Sequence, residues 1–148
     1  MNTLIIGDFN AHPFESTCIA ADTLHAIPYI DELEEHNQSS AVKRFRKFYN
    51  PMWKLIGSEE KPYGTYYFYK TGVINYYWHI FDQVMIRPPL IDAFDEESLA
   101  IISKTANHRL LKGKRTNRKD YSDHLPLLCK LREAQNQLFF VLVVLCKK

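Results

Sequence analysis

The sequence predicts an α+β domain, several strands layered with a small number of helices. Three observations carry that prediction. Short apolar runs recur along the chain, at Thr3–Ile6, Gln83–Arg87, Pro126–Leu131 and Leu138–Cys146, the last of them rich in β-branched residues. A different pattern, apolar residues every three to four positions, occupies Ser39–Leu55. Finally, 46% of the 148 residues are apolar, enough for one sizeable core in a chain with little room for a second.

Taken in order, Thr3–Ile6 reads as a buried strand that stops at Gly7 and gives way to a polar turn. Ser16–Leu24 reads as a short helix. Ser39–Leu55 is the stronger helix, with Ser39 or Ser40 as N-cap and Val42, Phe45, Phe48, Tyr49, Met52 and Trp53 on one face. Pro51 ends or kinks it. The aromatic stretch Gly64–Lys70 is β-prone, and Pro88 with Pro89 stops the strand Gln83–Arg87. Glu96–Ser103 fits helix or strand. Asn107–Lys119 is a polar, basic loop, and Pro126–Leu131 is a strand followed by a charged turn. The terminal run Leu138–Cys146 has nine residues. A bilayer-spanning helix needs ~20, so this run reads as a further strand. No repeat, low-complexity tract or linker divides the chain.

The net charge of +2 is small, but its distribution is uneven. Basic residues gather in Arg109–Lys119 and Lys43–Lys54, acids in Asp31–Glu35 and Asp92–Glu97. A local basic loop suits an anionic ligand without requiring one. Cys18, Cys129 and Cys146 follow no metal or redox spacing, which reads as a reduced, cytoplasmic protein with ordinary buried thiols. Met1–Ile6 lacks the basic start of a signal peptide.

Polar residues stand at the ends of three of these strands. "LIIGDFN" closes a strand with Asp8 and Asn10, "IFDQVMI" opens one with Asp82, and "YSDHLPLL" opens another with Asp123 and His124. Each has a structural reading: Asp8 and Asn10 as turn formers, Asp82 as a cap for a backbone amide, His124 as a satisfied surface histidine. Together they form an inventory of three carboxylates, an amide and an imidazole. That inventory suits metal-assisted phosphoester hydrolysis, in which a hard cation and proton-transfer groups act on phosphate.

"GDFN", "FDQV" and "SDHLPL", in that order, resemble the endonuclease/exonuclease/phosphatase superfamily. This deoxyribonuclease I-like superfamily includes pancreatic-type deoxyribonucleases, apurinic endonucleases, bacterial sphingomyelinases and inositol polyphosphate 5-phosphatases. The aromatic approach Gly64–Ile86 to the acidic motif is similar as well. The resemblance implies a Mg²⁺- or Mn²⁺-dependent phosphoesterase acting on a phosphate ester, DNA and RNA among the options. It implies that Asp8 positions or deprotonates the attacking water and that Asn10 hydrogen-bonds the scissile phosphate. Asp82 would orient His124, Asp123 would help bind the metal, and His124 would contact the phosphate.

The resemblance spans residues 1–132 and only the latter half of the family pattern, leaving 133–148 as an additional apolar strand or tail. The family's sandwich draws one sheet from each half, and its metal-binding glutamate lies in the half that precedes "GDFN". The expectation is therefore one mixed sheet with flanking helices, its inner face open, and a weakened metal site. Three readings answer the open face: a fragment of a longer enzyme, pairing with a missing N-terminal half or as a homodimer, or cover by Leu138–Cys146. The alternative function is a non-catalytic remnant that serves as a dimerisation or nucleic-acid-binding module. No membrane span is expected.

Overall fold

In the computed structural model, which describes residues 2–33, 47–70 and 75–132 and the backbone of 139–144, strands dominate and helices are short. In chain order the described strands are β1 (Leu4–Asp8), β2 (Ala26–Ile27), β3 (Phe48–Tyr49), β4 (Tyr66–Tyr67), β5 (Trp78–His79) and β6 (Asp82–Ile86). They continue with β7 (Phe94–Ile101), β8 (Leu111–Lys112), β9 (Arg115–Thr116), β10 (Leu127–Arg132) and β11 (Phe139–Val144). One α-helical turn, α1 (Ser16–Ile19), and 3₁₀ turns at Asp31–Leu33, Pro51–Leu55 and Pro88–Leu90 accompany them.

The strands form a four-stranded sheet, ordered β1-β6-β3-β2, and a three-stranded sheet, ordered β11-β10-β7. The first is mixed, because β2 and β3 run parallel while the other pairs are antiparallel. Two small hairpins, β4–β5 and β8–β9, stand apart from both. The chain thus has a mixed α/β fold, rich in strands and poor in helix. Two sheets replace the single sheet with flanking helices that was expected. β10 pairs with β7 on one side and β11 on the other, while β6 bonds β1 and β3.

A shared apolar cluster joins the sheets: Val84 and Ile86 of β6 meet Phe94 and Leu99 of β7 and Leu127 and Cys129 of β10. Successive residues of a strand point to opposite faces. Met85 accordingly turns the other way, onto Ala11, Cys18, Ala26 and Phe48. Every residue of β6 is buried. At its central strand, therefore, the sheet is covered on both faces by the chain itself, and the expected open face is not found among the described residues. Val84, Met85 and Ile86 are each 0% exposed. Fully burying a side chain of this kind stabilises by ~1.5–3 kcal/mol.

Part of the expected helix Ser39–Leu55 lies outside the described residues, and the rest is not α-helical. Phe48–Tyr49 is a strand and Pro51–Leu55 a 3₁₀ turn. Proline disfavours helical geometry in the residue before it, and Asn50 sits extended, at φ −117° and ψ 95°. The Asn50 side chain then caps the turn, accepting a hydrogen bond from the Met52 amide at 3.0 Å. The ambiguous Glu96–Ser103 lies largely within the strand β7. The expected strand at Leu138–Cys146 appears as β11, paired to β10 along its length. Cys18 and Cys129 are buried free thiols; Cys146 lies outside the described residues. Among the described residues no helix is long and apolar enough to cross a membrane.

Candidate active site

The pairing of β1 with β6 builds the first part of the site. Their antiparallel register sets Asp8, the last residue of one, opposite Asp82, the first of the other. Two carboxylates thereby share one edge of the sheet. The third component arrives by a separate device. Thr65, just before β4, is wholly buried, and its backbone carbonyl accepts from the Leu125 amide at 2.7 Å. Its hydroxyl oxygen accepts from the amides of Phe81 and Asp82, both at 3.2 Å. One residue thus holds the starts of both acidic segments together. Tyr66 completes the seat by bridging to His124 through backbone and by lying 4.9 Å from its ring, centroid to centroid.

His124 Nδ1 lies 2.7 Å from Asp82 Oδ2, and both side chains are almost fully buried. Its other nitrogen, Nε2, faces Asp8 Oδ2 at 3.9 Å, within ion-pair range but too long for a hydrogen bond. Asp8 is the accessible member, with a third of its side chain exposed. The result is a carboxylate–imidazole–carboxylate line running from the interior to the surface. Burial is the largest single influence on His124 and lowers its pKa. The hydrogen bond that His124 donates to Asp82, with the negative charges of Asp82, Asp8 and Asp123, outweighs it, so the net shift is upward from the ordinary 6.5.

Asn10 stands at this rim. Its amide N–H donates to Asp8 Oδ1 at 2.8 Å, and its backbone takes a positive φ of 48°, which asparagine tolerates better than most residues. The structural reading of Asp8 and Asn10 as turn formers therefore holds. Asn10 itself is exposed, and its side-chain amide makes no hydrogen bond among the described residues.

Asp123 has a different setting. It is 5% exposed and its Oδ2 accepts from Arg118 Nη2 at 2.9 Å. The donor group that comes together instead is Asp8, Asp82 and His124, whose potential ligand atoms lie within 4.8 Å of one another. That set does not by itself fit the Mg²⁺ or Mn²⁺ that the resemblance implies. Asp82 serves His124 and Asp123 serves Arg118, which leaves Asp8 as the accessible carboxylate. Mg²⁺ asks for near-octahedral oxygen ligation, so it would need further oxygens beyond these residues.

Several contributors were not legible beforehand. Arg118 was visible only as part of a basic loop, and Thr65 and Tyr66 only as parts of a β-prone stretch. A buried amide pair also positions the Asp8–His12 turn: Asn50 Nδ2 donates to Gln83 Oε1 at 2.8 Å, while Gln83 Nε2 donates to the Ala11 carbonyl. His12, in the turn that follows β1, is 5% exposed. It is drawn inward by His79 and Tyr76, with its Nε2 2.9 Å from both His79 Nδ1 and the Tyr76 hydroxyl. Burial lowers the pKa of both histidines; the neighbouring His79 lowers that of His12 further, while Glu15 raises both.

No family model matches the chain, and it matches no curated protein and no solved structure.

Proposed function

We propose that this chain carries the phosphate-handling part of a divalent-metal-dependent phosphoesterase of the endonuclease/exonuclease/phosphatase type. One observation carries the reading: His124 is bound on one side to buried Asp82 and faces exposed Asp8 on the other, at 2.7 and 3.9 Å. Asp82 accepts from Nδ1–H and so fixes the tautomer and ring orientation that aim Nε2 outward. Asp82, Asp8 and Asp123 around the ring raise the His124 pKa and so favour its protonated form, which suits it to face charge developing on a phosphoryl oxygen. Asp8, at the accessible end, is the carboxylate that orients and deprotonates the attacking water. Asn10 presents its amide beside it as a neutral donor for a non-bridging oxygen.

The metal in this reading comes with the family resemblance, together with oxygen ligands beyond Asp8. The specific deoxyribonuclease I-like sandwich is likewise part of the proposal.

The test is hydrolysis of bis(p-nitrophenyl) phosphate and of plasmid DNA by the purified chain, with Mg²⁺, with Mn²⁺ and with chelator. Wild-type turnover that falls by ~10²–10⁴-fold in both Asp8→Ala and His124→Ala supports the reading. Equal background rates in all three proteins reject activity for this chain.

A further inference from the structure

Beyond that site, the opposite face of the β4–β5 hairpin gathers aromatic rings and exposed cations. Tyr66 and Tyr67 are consecutive, so their rings lie on opposite faces of the strand. Tyr66 turns to His124, whereas Tyr67 turns to Tyr77, stacked at 6.0 Å, and to Trp78, edge-on at 5.1 Å. The β8–β9 hairpin packs alongside. Its two-residue turn, Gly113–Lys114, uses the positive φ of 63° that glycine adopts without strain, and this brings Arg115 over the hairpin. The Arg115 guanidinium lies 5.0 Å from the Tyr69 ring and 5.9 Å from that of Tyr67.

Next to this stack is a groove of about 360 Å³, lined by Lys61, Tyr63, Trp78, Leu111 and Lys114 among others, with no carboxylate in its wall among the described residues. Lys61, Lys112, Lys114 and Arg115 are exposed, and none pairs with a carboxylate among the described residues. Tyr63, Tyr69 and Tyr77 are 42%, 46% and 45% exposed. Large rings left in water beside cations that have no carboxylate partner among the described residues suit an occupant with both flat apolar faces and negative charge.

We propose that this face binds single-stranded nucleic acid, with bases on Tyr69, Tyr77 and the groove at Trp78, and phosphates on Lys61, Lys114 and Arg115. Aromatic platforms beside a basic track are how unpaired strands are held, because every base has a π-face. Bases paired inside a duplex offer no free face to these rings. The proposal does not depend on the reaction proposed above, since His124 lies across the hairpin from this surface.

The test is fluorescence anisotropy on the full chain with labelled oligothymidylate and oligouridylate of about 12 nucleotides, within the span that a small fold covers. A duplex of equal length and heparin, a polyanion without bases, are the competitors. At least one of the two strands binds, and both competitors bind more weakly. Tyr69→Ala weakens binding by about ten-fold, and Tyr69→Phe retains it. Arg115→Ala weakens binding and reduces the salt slope by about one. Lys114→Glu, at the exposed tip of a turn, weakens binding at an unchanged melting temperature. His124→Ala binds as tightly as wild type, so a lost reaction and a lost strand are distinguished. Heparin or duplex binding as tightly as the strand, or Tyr69→Ala binding like wild type, overturns the proposal.

Discussion

The carboxylate of Asp82 and the imidazole of His124 meet at 2.7 Å, although 42 positions separate them in the chain. Neither is able to hold that arrangement alone. Asp82 is fixed by its place at the start of β6 and by the Thr65 hydroxyl, and His124 by its bridge to Tyr66. A buried carboxylate needs a partner, and a buried imidazole needs one to stay charged. Each supplies the other's need.

The first prediction concerns protonation. In metal-free buffer with chelator, imidazole NMR places the His124 pKa above 6.5, and Asp82→Asn lowers it towards or below that value. A histidine whose folded pKa is raised adds stability that is fully present below its unfolded pKa and is lost as pH rises through the folded one. Urea titrations across that interval therefore show wild type losing stability with rising pH and Asp82→Asn losing less. An unchanged His124 titration in the variant contradicts the pairing.

Thr65 offers a second test, because it acts through Asp82 rather than on any substrate. Thr65→Val keeps the shape but removes the acceptor for two backbone amides. Each buried group left without a partner costs about 1–3 kcal/mol. The variant is expected to lose stability in urea and to show a lowered His124 pKa, while Thr65→Ser restores both. A His124 titration that does not move would mean that Thr65 supports the hairpin alone.

For the core, Met85 is the informative position, since it packs on the side away from the shared cluster. Met85→Ala should cost ~2–5 kcal/mol, read as a lower urea midpoint with an unchanged slope. A loss well under 1 kcal/mol would show that this face of β6 is not sealed.

The pair His12 and His79 predicts the opposite pH trend from His124. Both pKa values are lowered, chiefly by burial. Their contribution to stability is complete above 6.5 and is lost as pH falls through the lowered folded values. His79→Phe should flatten the acid side of the stability profile. NMR titration of either ring at or above 6.5 would count against the buried pair.

How much of this was readable beforehand differs by element. β1, β6, β10 and β11 were legible as short apolar runs, because a buried strand must be apolar whichever partner it finds. Asp8, Asn10, Asp82 and His124 were legible because polar residues at the end of such a strand stand out. The Ser39–Leu55 reading failed in its described part for a local reason: periodicity counted Phe48 and Tyr49 as helix, while Pro51 and pairing to β2 and β6 made them a strand. Arg118 and Thr65 carried no distinguishing signal, since their roles lie in contacts with residues far along the chain.

The sequence by itself determined which short segments are strands and which polar residues stand at their tips, because burial and turn chemistry act within a few residues. Tertiary structure alone decided that Asp8 and Asp82 share an edge, that Asp123 goes to Arg118, and that His12 turns inward to His79. These outcomes depend on strand register and on competition among partners for a few buried hydrogen bonds. Such terms join residues that no local pattern connects.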